Sequence, residues 1–142
     1  MKDLDIMKTQ KLVILIASFI GLMVSLLPLA SAQPMDEKSK QLCAAIGLIY
    51  HLQAQGYDEK IKKGSELVKK SKDLKMNKLM ESTFRGMEAV RDNTNKLGDF
   101  MERQFGKAES SEQINFAKQS IGTPSIKLKE YSDNCLQMKA FQ

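Results

Sequence analysis

The sequence predicts an all-α fold: a small antiparallel bundle of four or five helices, stapled by one disulfide and preceded by a cleaved signal peptide. Three observations carry this expectation. Beyond position 32, apolar residues recur at steps of three and four, the spacing of one helical face. No run alternates β-branched or aromatic residues with polar ones as a half-buried strand would. Two cysteines, Cys43 and Cys135, stand near opposite ends of that region.

The leader comes first in the chain. Residues 12–30 read LVILIASFIGLMVSLLPLA, without a charge; Lys8 and Lys11 precede them, and Ala30-Ser31-Ala32 follows. That order is a charged n-region, an apolar h-region and a small-x-small cleavage site. Cleavage is expected between Ala32 and Gln33, with residues 1–32 as signal peptide and 33–142 as a single helical domain. Met7 opens a more usual n-region, MKTQK, than Met1 does. The apolar run is long enough to span a bilayer core of about 30 Å. Against a retained anchor stand Pro28, the Ala-x-Ala site and the acidic flank Gln33-Pro34-Met35-Asp36-Glu37. No cysteine at the cleavage site marks a lipoprotein. The reading is therefore a periplasmic or secreted protein with no permanent membrane anchor after cleavage. No N-x-S/T sequon points to a eukaryotic secretory route, and a bacterial periplasm is favoured.

Composition bounds the mature region. The chain has 22 Lys plus Arg against 17 Asp plus Glu, one His and no Trp. The leader holds Lys2, Lys8, Lys11, Asp3 and Asp5, leaving 19 against 15 and a net charge of +4. A chain of this size buries one modest core. In an oxidising compartment, Cys43 and Cys135 are most simply one disulfide.

The helices follow in order. Over residues 36–55, Leu42, Ala45, Ile46, Ile49 and Leu52 share a face, Asp36 and Glu37 suit the N-terminus, and Gly56 is the expected stop. A second segment starts near Asp58 with Ile61, Gly64, Val68 and Ser71, widened by Leu67 and Leu74. It ends near Ser71–Asp73 or continues into the third. The third is longest, with Met80, Thr83, Met87, Val90, Thr94, Leu97 and Met101 as a heptad-like seam. Phe84, Phe100 and Phe105 broaden it, Gly86 permits close helix approach, and Gly106 is its stop. Ser110-Ser111-Glu112-Gln113 is a capping box for a short fourth helix bearing Ile114, Ala117 and Ile121, ended by Gly122. Thr123-Pro124 opens the last, with Thr123 as cap, Pro124 at the first helical position, and Leu128, Tyr131, Cys135 and Met138 on one face.

One stretch is strongly charged. Residues 60–78 carry Lys60, Lys62, Lys63, Lys69, Lys70, Lys72, Lys75 and Lys78 against Glu66 and Asp73, a local net of +6. Read functionally, Lys62, Lys63, Lys69 and Lys70 form a patch for an anionic partner, a protein or an envelope component. Read structurally, the stretch is a solvated face, partly self-compensated by Lys62/Glu66/Lys70 and Lys69/Asp73 at i,i+4. Nucleic acid is disfavoured, because no aromatic and no Arg is interleaved with these lysines.

Other chemistry finds little support. A Met76/Met80 pair suits soft Cu(I), but methionines on a heptad seam are ordinary core filling. His51 and Met138 could ligate a haem, yet no C-x-x-C-H is present. A single imidazole and no G-x-S-x-G leave hydrolase chemistry without its parts. No catalytic, cofactor or metal residue is assigned, and no enzyme activity is expected. The expected function is an exported helical interaction protein, such as an inhibitor, an immunity-type protein or a chaperone-like binder. The alternative is a carrier or envelope-surface binder holding a lipid, haem or metal.

Overall fold

The computed structural model describes residues 35–142. The expected leader, the start at Met7 and the cleavage between Ala32 and Gln33 lie outside the described residues. The described chain is all-helical, with four helices: α1 (Glu37–Lys70), α2 (Leu74–Phe105), α3 (Ser111–Gln119) and α4 (Ser125–Ala140). It divides into two units. Asp36–Leu136 forms one. Met35 and Gln137–Gln142 belong to the other, where the Gln142 side-chain amide donates to the Met35 carbonyl at 3.5 Å.

α1 begins where Asp36 accepts from the Ser39 backbone N–H at 2.7 Å. It then runs unbroken through Gly56, so the expected stop there and the separate helix from Asp58 are not found. The reason is phase. Gly47, Tyr50, Ala54, Tyr57, Ile61, Gly64 and Val68 continue steps of three and four across Gly56, so the inward face never breaks. A helical glycine costs about 1 kcal/mol relative to Ala, which continued packing offsets. The break falls at Ser71, whose backbone is extended. Asp73 then caps α2, accepting from the N–H groups of Lys75 and Met76 at 3.0 Å each. α2 ends at Gly106 with φ +84°, as its position predicted.

α3 has the predicted capping box. The Gln113 N–H donates to Ser110 Oγ at 3.1 Å, and the Ser110 N–H donates to Gln113 Oε1 at 3.0 Å. The Gln113 side-chain amide also donates to the Gln41 carbonyl at 3.0 Å, tying α3 to α1. α3 stops at Gln119, short of Gly122. In α4 the Leu128 N–H donates to the Pro124 carbonyl at 2.9 Å, so Pro124 stands one position ahead of its expected place.

The core of Asp36–Leu136 is assembled from Ala44, Ala45, Ile46, Ile49, Tyr50 and Ala54 of α1 with Met101, Ala117 and Leu128. Cys43 and Cys135 are bonded across it, Cα–Cα 5.8 Å, confirming the predicted staple between the first and last helices. The Tyr50 hydroxyl meets Ser132 Oγ at 3.0 Å, and Ser132 itself donates to the Leu128 carbonyl at 2.8 Å. Leu42 and Tyr131, expected inside, are exposed; Ser132 takes the buried place that Tyr131 was assigned. Ile121, expected on the apolar side of the fourth helix, is exposed too.

Beyond this core α1 and α2 run on as an antiparallel hairpin. Its register is fixed by pairs that descend α2 as they climb α1: Gly47 against Glu102, His51 against Asn95, Asp58 against Arg91, Gly64 against Phe84. No residue between positions 55 and 97 is buried. The α1 arm of this extension, residues 55–70, is roughly 24 Å long.

The α2 seam differs from expectation in one of its two files. Met80, Met87, Thr94 and Met101 face inward as predicted, but the alternate positions are Phe84, Arg91 and Gly98, not Thr83, Val90 and Leu97. Val90 and Leu97 are exposed. Phe84 lies over Gly64, which has no Cβ to obstruct the ring. Arg91 reaches Asp58 at 2.7 Å and Asp92 at 2.9 Å. The Asp58 hydrogen bond first, and that of Asp92 second, raise its pKa above the usual guanidinium value. Gly98 admits His51. Gly86 meets nothing within 4 Å, so it makes no close approach.

Candidate functional site

The free end of the hairpin gathers the lysines that the sequence singled out. The last turns of α1, the Ser71–Asp73 break and the first turns of α2 carry Lys60, Lys62, Lys63, Lys69, Lys70, Lys72, Lys75 and Lys78, all exposed. On α1, Lys62 and Lys69 fall in one file two turns apart, and Lys63 and Lys70 in the next. Lys69 and Lys70 sit in the last turn of α1, where the helix dipole favours cations. Lys75 and Lys78 lie in the opening turns of α2, which has no acidic residue in its first turn, so they stand against the dipole.

Self-compensation is weaker than the sequence spacing suggested. Because α1 ends at Lys70, Lys69 and Asp73 do not share a helix, and Asp73 is engaged as the α2 cap. Among the described residues, no ion pair forms between Glu66 and Lys62 or Lys70. Lys60 Nζ stands 5.8 Å from the centroid of the Tyr57 ring. Large apolar side chains are exposed among these lysines: Leu67 at 66%, Leu74 at 77% and Leu79 at 63% of their surface, with Met76 half exposed.

A second cluster lies nearer the core, between α1 and α2. A Cβ on Gly98 would lie 2.8 Å from the His51 ring, and one on Gly47 would lie 3.3 Å from the Gly98 carbonyl oxygen. These two glycines let the His51 imidazole lie flat against α2. There His51 Nδ1 meets Asn95 Oδ1 at 3.1 Å, and Nε2 stands 3.4 Å from Glu102 Oε1 and 3.5 Å from Asp99 Oδ1. The ligand atoms of His51, Asp99 and Glu102 lie within 4.8 Å of one another. The sequence reading assigned none of these residues beyond a formal haem role for His51. Its one available signal was Asn95, Asp99 and Glu102 at i, i+4 and i+7, a polar file on one helix face.

A third feature is an open groove of about 330 Å³, lined by Gln53, Tyr57, Lys60, Ile121 and Pro124 among others. Its floor is fixed by the Gln53 amide, which donates to the Ile121 and Thr123 carbonyls at 2.9 Å each. Among the described residues no helix is long and apolar enough to cross a membrane. The Cys43–Cys135 bond suits an oxidising, extracytoplasmic compartment. The chain matches no family model, no curated protein and no solved structure.

Proposed function

We propose that this is an exported interaction protein whose hairpin end docks on an acidic protein surface, and that it does no covalent chemistry. The observation that carries the reading is the hairpin end itself. Among the described residues its exposed lysines form no ion pair, and they are interleaved with exposed leucines on an arm whose residues build no core. Apolar surface left in water and cations placed against a helix dipole both cost stability. Both costs are offset when an acidic, partly apolar surface covers them. Export is supported by the leader-like residues 1–32, with cleavage proposed between Ala32 and Gln33, and by the disulfide.

A protein is favoured over a lipid surface for two reasons. Residues 60–78 hold no aromatic of the kind that anchors a helix at a membrane interface. The leucines are also mixed among lysines rather than segregated on one face, as an interfacial helix requires.

The test neutralises Lys62, Lys63, Lys69 and Lys70 together to Gln. The partner that co-purifies from the native host with wild type is expected to be lost from this variant, by about tenfold or more at low ionic strength. It should also leave wild type as salt rises. A partner retained equally by both proteins overturns the proposal. So does recovery of anionic phospholipid in place of a protein.

A further inference from the structure

We propose that His51, Asp99 and Glu102 form a binding site for a first-row divalent cation, with Zn2+ the ion that the spacing fits best. This inference is independent of the hairpin end and of its partner.

The tautomer of His51 starts the argument. An amide oxygen only accepts, so the contact with Asn95 Oδ1 makes Nδ1 the donor. In the neutral ring, Nε2 then carries a lone pair. That lone pair faces two carboxylate oxygens, at 3.4 Å and 3.5 Å, so three atoms able to ligate a cation converge on one point. A cation at their centre is coordinated by all three. Asn95 then plays the part that orients metal-binding histidines elsewhere, by accepting from the other ring nitrogen.

The distances agree. A tetrahedral zinc centre with ligands about 2.0–2.1 Å away separates its ligand atoms by roughly 3.3–3.4 Å. The two His51–carboxylate separations are close to that edge length. One imidazole and two carboxylates form a mixed N/O set suited to zinc, with water completing the shell. Asp99 is the exposed member of the three.

The surroundings also favour a cation. Asp99 and Glu102 lie in the last two turns of α2, at the negative end of its dipole, where carboxylates are otherwise disfavoured. Arg103 and Lys107 line the adjoining groove of about 300 Å³, yet neither pairs with Asp99 or Glu102 within 4.0 Å. Gly47 and Gly98 keep the helices near enough for the three side chains to meet.

Because His51 is the one histidine in the chain, its imidazole signals need no assignment in an untagged protein. The experiment titrates ZnCl2 into full-length mature protein, by calorimetry and by nitrogen-15 NMR of that ring. One ion per chain is expected, with the Nε2 resonance shifted and Nδ1 still protonated. His51→Ala and Glu102→Gln should each weaken binding at least about tenfold, and Asn95→Ala by about 10–100-fold. Circular dichroism and the intact disulfide show whether each variant is folded. No uptake of Zn2+ by wild type overturns the proposal. So does uptake that His51→Ala leaves unchanged, or a titration in which the Nε2 signal does not move.

Discussion

At the scale of single residues, backbone conformation and one buried hydrogen bond give the sharpest expectations. Gly106 closes α2 at φ +84° and ψ 174°, a region essentially closed to side-chain-bearing residues. Gly106→Ala should destabilise the protein by about 1–3 kcal/mol, read from urea midpoints. Gly86 is the opposite case. It lies inside α2 with open space around it, so Gly86→Ala should stabilise by up to about 1 kcal/mol. Tyr50→Phe removes the bond to Ser132 but leaves Ser132 paired with the Leu128 carbonyl. Its cost should be about 0.5–1.5 kcal/mol. Asp36 gives a pH dependence. The Ser39 hydroxyl, and then the Ser39 backbone N–H, hold its carboxyl below the ordinary carboxylate range. Its charged form therefore contributes stability above that range and loses it as pH falls through the lower folded value. Wild type should melt above Asp36→Asn at neutral pH and converge with it in acid; a gap constant with pH would contradict this.

At the scale of elements, the hairpin seam is the informative case. Heptad spacing in α2 was legible, and Met80, Met87, Thr94 and Met101 lie where that spacing put them. The companion file is not legible along α2, because hydrophobicity prefers Val90 and Leu97 to Arg91 and Gly98, and their phase then selects Thr83 over the more apolar Phe84. The inward positions are chosen by what they meet: Gly64 receives Phe84, Asp58 pairs with Arg91, and Gly98 accommodates His51. Such complementarity belongs to two helices at once and is invisible along one. Met101→Ala should therefore cost about 2–5 kcal/mol. Val90→Ala, on the exposed file, should stay within about 0.5 kcal/mol, apart from its small propensity gain. Comparable losses at both positions in chemical denaturation would place the seam elsewhere. Gly56 makes a related point. A glycine at a plausible stop ends a helix only where the inward pattern also ends, and here the pattern runs on to Val68.

At the scale of the whole molecule, the all-helical architecture and the Cys43–Cys135 staple were both legible. Periodicity, cysteine count and capping chemistry are local signals that agree with the fold. The His51 cluster was not legible, because its members gain meaning only when Gly47 and Gly98 bring two helices together. The staple closes a span of 92 residues, and replacing both cysteines by serine should cost about 2–5 kcal/mol. That loss should fall on the helices it joins near the core, and hydrogen exchange can localise it. The lysines were legible as a charged stretch, but their setting was not. The hairpin carries them beyond the core, and the break at Ser71 removes the pairing of Lys69 with Asp73. The central claim is that this end of the hairpin is what touches a partner. It is tested most directly by a photo-crosslinking residue placed at Leu67 and, separately, at Ile126 of α4, both exposed, with irradiation in the native host. The account predicts one protein adduct from position 67 that disappears when the four lysines are neutralised, and none from position 126. Adducts from position 126 alone, or adducts from position 67 that survive neutralisation, would contradict it.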